Sequence, residues 1–99
     1  MDGLDIRLEE GGRRLVLRLE GTLDGRTALA VTEALDALPC VPLTVDFSGV
    51  RTFVDLSVDA LTRALRDRPV SLTGLRRHQA RMFRYFGLRT EEIEQPAEA

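Results

Sequence analysis

Leu4, Ile6 and Leu8 alternate with Asp5, Arg7 and Glu9, and beyond Glu10-Gly11-Gly12-Arg13 the alternation resumes with Leu15, Leu17 and Leu19 around Arg18 and Glu20. A period of two belongs to a strand with one buried face, and two such runs joined by a Gly-Gly turn predict an antiparallel hairpin over residues 4–20. Gly21-Thr22-Leu23-Asp24-Gly25 breaks the pattern. Asp24 is then placed to cap a first helix, its carboxylate accepting from free amides near Arg26 and Thr27 and its charge suiting the positive helix end. Along that helix Ala28, Val31, Leu35 and Leu38 form an apolar stripe, while Arg26, Thr27, Glu33 and Asp36 fall on the other face. Pro39 ends the helix and Pro42 fixes the entry to the next strand.

Leu43, Val45 and Phe47 alternate with Thr44 and Asp46 in a short run between two helical patterns, the position of a central parallel strand in β-α-β units. An acid in such a strand is costly unless hydrogen-bonded, so Asp46 is expected at its carboxyl end, accepting from donors in a loop from Ser48 to Thr52. Asp55 opens and caps a second helix whose buried stripe is Val58, Leu61, Thr62 and Leu65. Leu56 lies off that stripe, at the first turn and towards solvent. Val70 to Thr73 reads as a last strand, released at Gly74. A third helix from about Arg77 to Phe86 buries Met82, Phe83 and Phe86 and ends on a left-handed Gly87 sealed by Leu88. Thr90 to Glu94 could add one further turn.

The elements sum to an α/β fold with a small mixed β-sheet, an N-terminal antiparallel hairpin followed by parallel β-α-β units, and about three helices packed mainly on one face. Residues 1–89 form one domain and residues 90–99 an acidic tail. In such sheets partners meet the crevice beyond the carboxyl ends of the strands, which here is the stretch from Leu43 to Leu61.

Composition narrows the classes of function. A 99-residue chain with 43% hydrophobic and 30% charged residues can bury a core without a disulfide or metal. Cys40 has no partner in the chain, which fits a reducing compartment and a small buried thiol. No apolar run approaches the ~18 residues of a membrane helix, and Met1 to Asp5 is acidic where a signal peptide is basic, so a cytoplasmic location without membrane insertion is expected. The net charge of −2 conceals a tail with four acids and no base, leaving 14 Arg against 12 acids in residues 1–89. Arg76, Arg77, Arg81, Arg84 and Arg89 make a basic segment without an acid. Its context lacks aromatic interleaving or a helix-turn-helix, so it reads as a solvated face towards which Glu91 to Glu94 fold, not as a nucleic-acid site. His78 is the single histidine, and there is no Gly-x-Ser-x-Gly elbow, P-loop or His/Cys metal spacing. No catalytic residue, metal or cofactor is assigned, and an enzyme is not expected.

The hairpin, the Gly21-Thr22-Leu23-Asp24 turn, the run from Val45-Asp46-Phe47-Ser48-Gly49-Val50 through Asp55-Leu56-Ser57, and the ending from Leu72-Thr73-Gly74 to Phe86-Gly87-Leu88 together resemble a STAS domain of the bacterial anti-sigma factor antagonist kind. The likeness covers about residues 4–89. It implies a regulatory module that binds a protein partner, commonly an anti-sigma factor with a histidine-kinase-like ATPase fold, through the loop and helix start after the central strand. On that basis Asp24, Ser48, Thr52, Phe53, Asp55, Leu56 and Ser57 are the candidate partner-binding residues.

Many members of the family are switched off by phosphorylation of the hydroxyl straight after the Asp in Asp-Ser-Ser-Gly or Asp-Thr-Ser-Gly. The window here reads Asp55-Leu56-Ser57-Val58. Leu56 has no hydroxyl, so the switch does not carry over to this position, and Ser57 and Thr52 are the hydroxyls left as acceptors. Val58 in place of Gly disfavours a positive φ, so a regular helical start is expected. The resemblance admits a second setting, an accessory subunit on the ATPase of an ABC-type lipid or solute transporter, whose members often lack the phosphorylation pattern. The oligomeric state is left open.

Overall fold

The computed structural model describes residues 3–12, 14–39, 41–66, 68–88 and residue 93. The elements run β1 (Leu4–Gly11), β2 (Arg14–Leu23), α1 (Gly25–Asp36), β3 (Leu43–Phe53), α2 (Asp55–Leu65), β4 (Val70–Thr73) and α3 (Arg77–Tyr85). One four-stranded sheet has the order β1-β2-β3-β4, antiparallel between β1 and β2 and parallel thereafter. This is the α/β arrangement expected from the sequence.

Alternation decides the two faces of the sheet. Leu17, Leu19, Leu23, Leu43, Val45, Phe47 and Leu72 point into one core with Ala28, Val31 and Leu35 of α1, Val58, Leu61 and Leu65 of α2, and Ala80 and Phe83 of α3. The opposite face is polar. There Arg14 Nη1 donates to Thr44 Oγ1 (3.1 Å) and Ser71 Oγ (3.3 Å), and Arg18 pairs with both Glu9 (3.0 Å) and Asp46 (2.5 Å). Parallel sheets usually have both faces covered and read as continuous apolar runs; this wet face is why β3 alternates instead.

Two strands are longer than their patterns predict. β2 continues through Gly21-Thr22-Leu23, and β3 continues through Ser48 to Phe53, where a loop was expected. The reason lies in the pairing. Arg18 faces Asp46 but Glu20 faces Gly49, and Gly21 faces Val50 but Thr22 faces Thr52, so β3 twice uses one more residue than β2. Each extra residue is a bulge that shifts the period of two, so Leu43, Val45 and Phe47 point inward and are followed inward by Val50. Gly49 makes the first shift sterically feasible, because a Cβ there would meet Glu20 Cγ at 2.6 Å and Leu19 O at 2.9 Å. Asp46 finds the expected backbone donor, Ser48 N–H at 2.9 Å, and in addition the Arg18 guanidinium.

In α3 only Phe83 of the expected buried face is fully inside, with Gln79 and Ala80 beside it, while Met82 and Phe86 are half-buried because the face they share is not covered by α2. Leu38, read as the end of the α1 stripe, lies just past the helix and is half-buried. The rest of the α1 and α2 stripes falls as read, with two omissions. Thr27 of α1, assigned to the outer face, is buried, and so is Ser57 of α2. Each lies one turn before a buried aliphatic residue, Val31 and Leu61, so the same 3.6-residue spacing places them inward. α3 ends as predicted: Gly87 has φ +117°, its N–H donates to Arg84 O (3.1 Å), and Leu88 N–H donates to Phe83 O (3.0 Å), the paired bonds of a Schellman ending with Leu88 buried.

Beyond Leu88 the one described residue is Ile93. It is buried and forms a parallel β-bridge with Leu72, so the core includes a residue of the acidic tail, and a strand-like pairing stands where a helical turn was considered. The readings for Cys40, Arg89, Glu91, Glu92 and Glu94 lie outside the described residues.

α1 carries no basic residue in its last turn. Arg68, in the connection from α2 to β4, supplies the charge, donating from Nη1 to Leu35 O (2.9 Å) and from Nη2 to Pro39 O (2.7 Å). Leu35 O also accepts from Leu38 N–H (3.1 Å) and Pro39 O from Val41 N–H (2.9 Å), so the guanidinium is a second, charged donor that complements the negative end of α1. Arg68→Met is expected to lower unfolding free energy by about 1–2 kcal/mol, measured by urea denaturation, with the slope of the transition unchanged.

Candidate functional site

The parallel ladder of β2 and β3 ends with Leu23 facing Phe53, and Val54 N–H donates to Leu23 O at 3.0 Å. Asp24 and Val54 therefore leave the sheet side by side. α1 and α2 both start at this carboxyl edge, where two sets of free helix amides come together.

The start of α1 is closed by its own residues. Asp24 sits in extended backbone, its Oδ1 accepts from Thr27 N–H (2.9 Å), and its own N–H donates to Thr27 Oγ1 (2.8 Å). Thr27 Oγ1 in turn donates to Thr22 O at 2.8 Å, tying the helix to the end of β2. The Thr27 amide, against an opposing desolvation effect and with help from the Thr27 hydroxyl and from Arg26, holds the Asp24 carboxyl below the usual carboxylate range.

The start of α2 is built differently. Val54, not Asp55, occupies the N-cap position, and no side chain closes the helix there. Asp55 stands one residue inside, in the first turn, where the positive helix end favours its charge without a capping bond. Ser57 closes the turn from below: its N–H (2.9 Å) and its Oγ–H (2.5 Å) both donate to Val54 O. No non-glycine residue has a positive φ among the described residues, so the helical start expected from Val58 is regular.

The seven candidate partner-binding residues do not form one patch. Asp24, Thr52, Asp55 and Leu56 gather at the carboxyl edge, with Leu56 73% exposed. Phe53 faces this edge but packs with Phe47 (5.9 Å between ring centroids) and Phe83 (5.9 Å), so most of its ring supports the core. Ser48 lies back along β3, roughly 15 Å from Phe53 at the usual strand rise, on the wet face of the sheet beside Gly74. Ser57 is fully buried and presents no hydroxyl to the surface. Val54, 38% exposed beside Leu56, was not singled out from sequence; the signal was an aliphatic residue just past the end of the strand. His78 is exposed in the first turn of α3, and no cluster of three or more His, Cys, Asp or Glu that could hold a metal stands among the described residues. No described helix is long and apolar enough to cross a membrane.

The described residues thus form a half-covered mixed sheet with two adjacent helix starts at one carboxyl edge. The chain belongs to the STAS family, with the family model described as "Mlab, STAS domain" matching residues 6–94. Among solved structures it is similar to an anti-sigma factor antagonist from Mycobacterium paratuberculosis, at 20% identity and a TM-score of 0.63 over 72% of this chain and 67% of that one. An antisigma-factor antagonist STAS domain from Rhodobacter sphaeroides matches at 23% identity and a TM-score of 0.57, over 72% and 86%. A variant of RsbS from Moorella thermoacetica matches at 18% identity and a TM-score of 0.68, over 95% and 87%. At these identities the likeness is one of fold. No curated protein matches the chain.

The lowered Asp24 pKa makes its cap pH-dependent. A carboxyl depressed in the folded state adds stability above its unfolded pKa and loses it as pH falls through the folded one. Asp24→Asn keeps an acceptor but removes the charge, so it should be less stable than wild type at about pH 7, with the gap narrower at about pH 3, below the carboxyl's unfolded value. Paired urea titrations at the two pH values check this.

Proposed function

We propose that this chain is a non-enzymatic regulatory module of the anti-sigma factor antagonist kind, docking on a protein partner through the carboxyl edge of β2 and β3. Leu56 is its centre, and Asp24, Thr52, Val54 and Asp55 surround it. The observation that carries this reading is the exposure of Leu56 on a helix whose stripe, Val58, Leu61, Thr62 and Leu65, is fully inside. An aliphatic residue held outward on a rigid helix start, next to Val54 and ringed by Asp24, Asp55 and Thr52, has the apolar-centre, polar-rim build of a protein contact.

The contact is not switched by phosphate at the family's usual place. Leu56 offers no oxygen, and the Ser57 hydroxyl donates to Val54 O inside the protein. Thr52 is the exposed hydroxyl at this edge. A phosphate here would be drawn to the helix amides, yet it would resist desolvation against an apolar partner surface. With Leu56 in that place the docking is constitutive.

That same residue favours a second reading. An unswitched contact suits an accessory subunit held permanently on the ATPase of an ABC-type transporter as well as it suits an antagonist of an anti-sigma factor. The two differ in the partner, an ATPase of histidine-kinase-like fold in one case and a transporter ATPase in the other.

Capture experiments from the native host with wild type and Leu56→Glu are expected to differ by one specific protein, lost in the variant, whose identity separates the two readings. Because Leu56 is exposed, Leu56→Glu should change unfolding free energy by no more than about 0.5 kcal/mol. Identical captures would remove Leu56 from the contact. Incubation with host kinases should leave the intact mass unchanged; stoichiometric phosphate within residues 48–59 would overturn the unswitched reading and point to Thr52.

A further inference from the structure

Asp55, Arg81, Met82, Tyr85 and Phe86 enclose an open groove of about 260 Å³ between the first turn of α2 and the second half of α3. Its floor is apolar, formed by the half-buried Met82 and Phe86. The Tyr85 ring stands edge-on to Phe86 with centroids 5.3 Å apart, yet Tyr85 is 85% exposed. The rim is charged, with Asp55 on α2 and Arg81 on α3. The α3 sequence RHQARMFRY holds three Arg and no acid, and among the described residues Arg81 makes no ion pair.

We propose that this groove receives one large apolar side chain from an acidic segment of the protein partner, with a partner carboxylate on Arg81. The proposal rests on the docking reading above, because the groove begins at Asp55, next to Leu56, and continues the same surface onto α3. Three observations select the occupant. The volume falls below the ~300–1,000 Å³ of small-molecule sites, so it suits a single side chain. The residue types, Tyr, Met and Arg, are those enriched where proteins meet, and Met82 can adapt its shape to what enters. The Arg81 guanidinium selects a carboxylate, and Asp55 on the opposite rim keeps that carboxylate on the Arg81 side, which sets the orientation of the incoming segment.

The chain's own tail carries acids, but Ile93, its one large apolar residue, is buried on Leu72 of β4 and is not free to fill the groove.

The test titrates the isotope-labelled full chain with three synthetic peptides of about a dozen residues, a length that spans one groove contact. One carries a central Phe flanked by Glu, the second the same Phe flanked by Lys, and the third Ala in place of Phe with Glu flanks. The first is expected to shift the amide signals of Asp55, Arg81, Met82, Tyr85 and Phe86 saturably. The Lys-flanked peptide should bind about fivefold more weakly, and the Ala peptide should not saturate. Arg81→Glu should reverse the preference between Glu and Lys flanks. Tyr85→Ala, checked for folding by far-UV circular dichroism, should weaken the first peptide about tenfold.

No saturable shift at these amides, or equal binding of the Glu- and Lys-flanked peptides, overturns the proposal. So do shifts of the same amides when the chain alone is concentrated, which assign the groove to a second copy. The two readings fail separately: peptides that do not bind while Leu56→Glu loses its host partner remove only the groove. Peptides that bind as expected while Leu56→Glu keeps that partner remove only the Leu56 contact.

Discussion

The bond from Val54 N–H to Leu23 O, at 3.0 Å, closes the parallel ladder of β2 and β3, and both crossover helices must begin within a residue or two of it. A hydrogen bond at that place fixes more than two strands. It sets Asp24 and Val54 next to each other, brings the positive ends of α1 and α2 to one edge, and leaves their first turns facing the same way. Without the two bulges in β3 the ladder would reach its end in a different register, and the face presented by Val50 would be turned outward. Gly49, pressed against Glu20 and Leu19, is therefore as much a part of the surface as the residues that line it.

α1 and α2 are fastened to that edge by the same chemistry. A buried hydroxyl at the helix start donates to the carbonyl of the segment it has just left, Thr27 to Thr22 O and Ser57 to Val54 O. Each lies one turn before a core aliphatic, so packing holds the hydroxyl in place and the bond in turn ties the helix start to the end of the strand before it. The difference lies above it. Asp24 caps α1 with a carboxylate, whereas α2 has no side-chain cap, and of its first amides Ser57 N–H turns back to Val54 O while those of Asp55 and Leu56 are left without a capping side chain. The edge is thus one side-chain-capped helix start beside one uncapped helix start.

The order of elements, the stripes of α1 and α2, the Asp24 cap and the Gly87-Leu88 ending were legible because each rests on local periodicity or a local cap. The second half of β3 was not, since bulges erase the period of two and Ser48-Gly49 carries the composition of a turn. The Asp55 cap failed for a related reason. An Asp before an apolar stripe looks the same from sequence whether it stands at the cap or one residue inside, and the end of a longer β3 decides between them. Ser57 could have been placed inward from its spacing to Leu61 and Leu65, but a hydroxyl beside the family's phosphorylation position drew a functional reading over the periodic one. Tyr85 and Val54 carried a weaker signal, large apolar residues that no stripe accounts for.

Leu56 is where these threads meet. A hydroxyl at this first-turn position would lie beside open amides that can hold a phosphate, whereas a leucine keeps the amides and removes the oxygen that could be charged. In the proposed contact its removal from water contributes about 1.5–3 kcal/mol, a term that does not depend on kinase or phosphatase and is little screened by salt. In that proposed contact the rim acids Asp24 and Asp55 have a different part, setting which partner approaches and in what orientation. On the proposed reading, an apolar centre without an acceptor oxygen, inside a charged rim, makes the affinity of this edge a property of the fold rather than of a modification at residue 56.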